Sequence, residues 1–120
     1  MSLVKSAENS RRPPQALMDA MQTLSTDAMK DGILLDAGGL APTAASFRVR
    51  VSKGKISMHD GPFTETKEVV GGYAIMNLPT REKAVEWTRR FIDLHRQHWP
   101  EWEGEAEVRQ IVGPEDDQSA

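Results

Sequence analysis

Two amphipathic stretches set among strand-type segments limit what this 120-residue chain can fold into. From Gln15 to Lys30 the apolar residues Leu17, Met21, Leu24 and Ala28 recur at i, i+4, i+7 and i+11, and Met18 and Met29 widen the same face. That spacing is one side of a helix. Pro14 suits its first turn, where the missing N–H has no partner to lose. Gly32 is placed to end it in a left-handed conformation. A second helix begins after Pro79, with Thr80 as its cap and Glu82 in its first turn, and runs to His98 before Pro100 stops it. Ala84, Val85, Thr88, Phe91, Ile92 and His95 fall on one side of it, flanked by Trp87 and Leu94.

The segments between read as strands. Leu3 to Ser6 is a short one, and a polar loop from Asn9 to Pro14 follows. Ile33-Leu34-Leu35 begins another, ahead of breaks at Gly38-Gly39 and Pro42. Phe47-Arg48-Val49-Arg50-Val51 alternates strictly, turns at Ser52-Lys53-Gly54-Lys55, and returns as Ile56-Ser57-Met58-His59. Val69 to Leu78 is the longest strand, and Gly71-Gly72 inside it signals a bulge or a close backbone approach. Glu105 to Val112 is the last, and an acidic, flexible tail is expected from Gly113 to Ala120. The order strand, helix, strand, hairpin, strand, helix, strand predicts a ferredoxin-like βαββ(β)αβ sandwich of the α+β class over residues 1–112. Its antiparallel sheet has both helices on one face. The other face needs cover, and a second copy of the chain is the expected cover, giving a two-fold homodimer.

Composition narrows the function classes. A chain of this length buries roughly two thirds of its unfolded surface, enough for one modest core. The net charge of −3 argues against a general nucleic-acid binder. With no cysteine, disulfides, thiolate metal sites and cysteine nucleophiles are ruled out. No signal peptide and no apolar stretch of membrane-spanning length is present, so a cytoplasmic protein without a membrane partner is expected.

The run Asp60-Gly61-Pro62-Phe63-Thr64-Glu65-Thr66-Lys67-Glu68 is a Gly-Pro turn dense in ionisable groups, of the kind that holds functional side chains on a rigid scaffold. Together with Gly72-Tyr73 it resembles the signature of YCII-related proteins of the DGPF type. Leu34-Leu35 with Gly39-Leu40 and Pro42, Val49 to Gly54, Arg81 to Trp87 and Glu107 to Gln110 resemble the family's other segments in the same order. The resemblance implies a dimeric α+β barrel, with two ferredoxin-like protomers packed sheet to sheet. It also implies a regulatory setting, because some DGPF-type proteins accompany alternative sigma factors. Enzymes of the wider group use a His-Asp pair with the His near the start of the first helix, and Gln15 to Lys30 contains no His. DGPF-type members often carry Glu between the two glycines after the second strand, where this chain has Gly38.

The candidate site follows from that run. Asp60 can act as a general acid or base, or accept a backbone N–H within its own turn. His59 is the neighbouring group that titrates near neutrality. Phe63 and Tyr73 supply aromatic surface for the core, an interface or a ligand, and Tyr73 adds a hydroxyl. Glu65 and Lys67 can anchor a polar ligand, and so can Arg48. Arg48 and Arg50 can also pair with Glu105 and Glu107 across the sheet, which is the expected arrangement. His95 and His98 have metal-compatible spacing without further ligands at matching positions, and read as packing and helix C-terminal charge. Trp87, Trp99 and Trp102 can flank a ligand pocket, though helix-on-sheet packing is the expected role. There is no phosphate-binding glycine loop, serine elbow or zinc-protease motif, so no cofactor and no metal is expected. Two functions compete. One is a homodimeric module that binds a small molecule, a sigma factor or another protein. The other is a small lyase or isomerase working through Asp60 and His59.

Overall fold

The computed structural model describes residues 1–8, 12–63 and 67–114. Period-two alternation becomes strands β1 (Ser2–Ser6), β2 (Leu34–Gly39), β3 (Phe47–Ser52), β4 (Lys55–Asp60), β5 (Val69–Met76) and β6 (Gly104–Val108). The two amphipathic stretches become helices α1 (Gln15–Lys30) and α2 (Arg81–His98). Their ends use the expected devices. Gly32 sits at φ +73°, and the Ile33 N–H closes on the Ala28 carbonyl. The Thr80 hydroxyl accepts the Lys83 N–H, filling one of the donors a helix start leaves open.

Four strands form an antiparallel sheet in the order β2-β5-β1-β6, the ferredoxin-like arrangement. Gly71 is the extra residue where β5 slips against β1, between the pairs Val4–Gly72 and Lys5–Val70. The bulge foreseen at Gly71-Gly72 is therefore present. The break foreseen at Gly38-Gly39 is not: β2 runs through both glycines, which pair with Tyr73 and Gly72. A Cβ on Gly38 would lie 3.0 Å from the Tyr73 ring, so glycine there leaves room for that ring to cross the strand. The last strand stops at Val108, short of the expected Val112.

Both helices pack on one sheet face. Leu24 and Ala28 of α1, Leu34 of β2 and Trp87 of α2 are buried together, with Ala74, Met76, Phe91 and Leu94 packed around them. Leu17 is fully buried nearby. Helix α2 keeps most of the expected face, with His95 buried and Ala84, Thr88, Phe91 and Ile92 half-buried; Trp87, expected at its flank, is buried as well, while Val85 is exposed. A bulky indole gains more from burial than valine does, and it takes the core position.

The hairpin β3-β4 forms a separate two-stranded sheet. Lys53 and Gly54, at φ 52° and 76°, make a turn with both central residues left-handed, the geometry that matches strand twist. Because β3 is not a neighbour of β6, the expected pairing of Arg48 and Arg50 with Glu105 and Glu107 across one sheet is replaced. Glu107 instead takes Lys5 of β1, at 2.7 Å.

Candidate functional site

The Gly-Pro turn is built into a tight node. The Gly61 N–H donates to the Ser46 carbonyl at 2.8 Å, and the Phe63 N–H donates to Thr43 Oγ1 at 3.2 Å. Thr43 donates through its backbone N–H and its hydroxyl to the two carboxylate oxygens of Glu8, at 2.6 and 2.5 Å. Those bonds hold the Glu8 carboxyl below its usual pKa range. The node thus joins the chain after β1, the short 3-10 turn Thr43–Ala45, and the end of β4.

The candidate residues divide between three places. Arg48 stacks its guanidinium 3.7 Å above the ring of Phe63, which is buried, and His59 lies opposite Arg48 in the hairpin. His59 Nε2 is 3.2 Å from the Ser57 hydroxyl, on the exposed hairpin. Asp60 closes β4 opposite Phe47 and is exposed, as is Lys67. Glu65 lies outside the described residues. Tyr73 stands apart, on the sheet face opposite the helices, where its hydroxyl donates to Asp36 Oδ2 at 3.1 Å. That bond and the Asp36 charge hold the phenol above its ordinary pKa. His59 and Asp60 line neither the cavity beneath α2 nor the groove between α2 and β6 described below, whereas Tyr73 is among the residues lining that cavity.

A different constellation walls a half-open space. Trp87, Phe91, His95 and Trp99 recur every four residues along α2 and beyond, and Trp102 folds back beside them. The rings form a chain: Trp87 to Phe91 at 5.9 Å, Phe91 to His95 at 4.9 Å, His95 to Trp102 at 4.5 Å and Trp102 to Trp99 at 6.5 Å. They wall a cavity of about 690 Å³ between α1, α2 and the sheet, within the roughly 300–1,000 Å³ typical of ligand pockets. Met21 and Met29 of α1 face it from one side, and Gly72 and Ala74 of β5 from another. The i, i+4, i+8, i+12 repeat of these rings was the sequence signal for this wall. The competing stripe through Ala84, Val85 and Ile92 obscured it.

His95 is the titratable group of that aromatic wall; Glu8 and Ser25 also line the cavity. Its Nδ1 lies 3.1 Å from the Phe91 carbonyl, which can only accept, so Nδ1 carries the proton. Among the described residues no buried side-chain nitrogen or oxygen lacks a partner, and none bonds His95 Nε2. That nitrogen is therefore an acceptor with access to solvent, on a residue that lines the cavity. Burial pushes the ring below the ordinary imidazole value of 6.5, and the Phe91 carbonyl only partly offsets this. The unfolded chain then binds a proton more readily than the folded one in the window just below pH 6.5. The stability due to neutral His95 is complete above that pH and is lost as the pH falls. In thermal melts, His95→Phe is expected to flatten the decline in Tm on acidification below about pH 6.5. Parallel pH profiles for the two proteins would refute this account of the ring.

A broader groove of about 1200 Å³ lies between α2 and β6. Ala84, Val85 and Ile92 line it, with Arg81, Arg89 and Arg90 at its margin. Among the described residues no group of three or more His, Asp or Glu is placed to hold a metal ion. No helix there is long and apolar enough to cross a membrane.

Comparison with known proteins places the fold in a family. The family model of the YCII-related domain matches residues 1–92. The chain belongs to the YCII-related family. An uncharacterised protein of Rhizobium meliloti (strain 1021) is 28% identical over 80 residues, which are 67% of this chain and 64% of that protein. The YCII-related match takes in the Gly-Pro node and the hairpin. His95, Trp99 and Trp102 lie beyond residue 92, so the cavity wall is drawn partly from outside the matched stretch.

Proposed function

We propose that this YCII-related protein is a homodimeric accessory module of the DGPF type that binds a small molecule and passes its occupancy to a protein partner, with a sigma factor as the expected class. The observation that carries the reading is the aromatic-walled cavity with the neutral His95 acceptor in its wall. Stacked rings favour a planar, mainly apolar ligand. An open acceptor favours a ligand with one hydroxyl or N–H to donate, because a ligand lacking one would strip the nitrogen of water without replacing that bond. The lyase or isomerase alternative draws no comparable support, since Asp60 and His59 lie on an exposed hairpin away from both large cavities.

The test is titration of the tryptophan emission with naphthols as probes. Saturable quenching is expected. His95→Phe keeps an aromatic ring in the wall and removes the acceptor, so binding should weaken about five- to tenfold, the worth of one hydrogen bond. No quenching by any naphthol, or equal affinity in His95→Phe, would sink the proposal. Turnover of hydroxylated aromatics that disappears in Asp60→Ala would establish the enzymatic alternative instead.

A further inference from the structure

One face of α2 alternates charge and apolar surface along a single line. Arg81, Val85, Arg89, Ile92 and Arg96 follow one another at steps of four, four, three and four residues, which keeps them on one stripe of the helix. The stripe runs about 22 Å. All five residues line the groove between α2 and β6, and Val108 of β6 and Ile111 beyond it form the opposite wall. Val85 and Val108 are each 41% exposed and Ile111 is 58% exposed, so this apolar surface meets water. Arg90 and Arg109 also line the groove, against one acid, Asp93. Asp93 is taken by Arg96 and Gln97. The Lys83–Glu86 pair lies outside the groove, and Glu107 is taken by Lys5. Arg81, Arg89 and Arg90 have no ion-pair partner among the described residues. Unpaired cations beside an exposed apolar floor are the two halves of an association site.

We propose that this groove receives an acidic amphipathic helix of a partner protein. The apolar side of that helix lies on Val85, Ile92, Val108 and Ile111, and its carboxylates meet Arg81, Arg89 and Arg90. Three features select this occupant. The stripe is as long as about fifteen helical residues, more than a compact small molecule spans, so its spaced cations suit an extended anionic partner. The apolar floor disfavours nucleic acid, whose phosphates suit arginine but leave Val85, Ile92 and Ile111 uncovered. An extended peptide would lay its backbone groups on those same side chains, which return no hydrogen bond, whereas a helix closes its backbone bonds internally. Arginines placed along the apolar line then fix the register and exclude basic helices. This gives a surface and a chemistry to the protein partner in the reading above, and rests on that part of it.

The test is fluorescence anisotropy of the full chain with a labelled peptide of about 18 residues that carries a leucine face flanked by glutamates. Saturable binding is expected, and the same peptide with lysine in place of glutamate should bind at least about tenfold more weakly. Arg81→Glu/Arg89→Glu reverses two exposed cations and should weaken binding about a hundredfold, and Val85→Asp about tenfold. Lys53→Glu, in the hairpin turn, reverses a charge away from the groove and should bind as the unaltered chain does. The comparison of the two peptides on the unaltered chain stands even where a variant misfolds. No binding of the glutamate peptide, equal binding of the lysine version, or an equal loss in Lys53→Glu would each overturn the proposal. Tighter binding of phosphatidylglycerol vesicles or duplex DNA through the same arginines would overturn it in favour of a membrane or a nucleic acid. Binding seen only in a chain ended at Pro114 would overturn it in favour of residues 115–120, with Glu115, Asp116 and Asp117, as the occupant. Naphthol quenching is expected to be unchanged in Arg81→Glu/Arg89→Glu, so failure of the peptide to bind leaves the cavity reading standing.

Discussion

Gly61→Ala is expected to destabilise the protein by about 3 kcal/mol, at the upper end for overpacked sites. A Cβ at that position would stand 1.7 Å from the Thr43 carbonyl oxygen and 2.7 Å from its carbon. Both are backbone atoms, so no flexible side chain can swing aside. Thr43 is also held by Glu8 and holds Phe63, so the displacement reaches three segments at once. Thermal unfolding should fall by roughly 10 °C. Gly39→Ala is the control, because a Cβ there meets nothing within 4 Å. If both variants melt together, the close approach of the turn to the Thr43 segment is not a feature of the folded protein.

Trp87→Ala is expected to cost about 3–5 kcal/mol, through lost burial and the cavity left behind. Trp87 is 6% exposed, stacks on Phe91, and bridges the core cluster to the aromatic wall. Against a typical total of about 5–15 kcal/mol, such a loss leaves little of the folded state at elevated temperature. Val85→Ala, two residues earlier, should change stability by under about 1 kcal/mol, because Val85 is exposed at the groove. Urea midpoints of the two variants report the rotational phase of α2 directly. A larger loss at Val85 than at Trp87 would place Val85 rather than Trp87 on the packed side and remove the cavity wall with it.

Those two variants also mark where sequence reasoning succeeds and where it stops. The strand and helix order was legible because each element carries its own periodicity. The limits of α1, the Thr80 cap and the Lys53-Gly54 turn are local chemistry, and the structure agrees with each. The course of β2 through Gly38-Gly39 was not legible. Glycine reads locally as a break, and only the pairing with β5 keeps it in a strand. The phase of α2 was ambiguous because two apolar stripes share the helix. Residue size at Trp87 decides between them only once a sheet lies beneath. The Asp60 run was legible as a structured turn. Its tie to Glu8 and Thr43 is a contact between distant segments that no local pattern encodes. The aromatic cavity needed both helices and the return of Trp102, and so emerged only from the fold.

Strand β6 lies at the margin of the sheet, paired among the described residues only with β1. Such a margin presents backbone groups on which a foreign strand can nucleate. Here it is five residues long and carries Glu105 and Glu107, with Glu103 just ahead of it. Like copies approaching edge to edge would set these carboxylates against one another, and stacking into a cross-β fibril would repeat that repulsion at every layer. Acid placement on this short strand thus makes it a poor seed for amyloid growth, although its peptide groups are within reach.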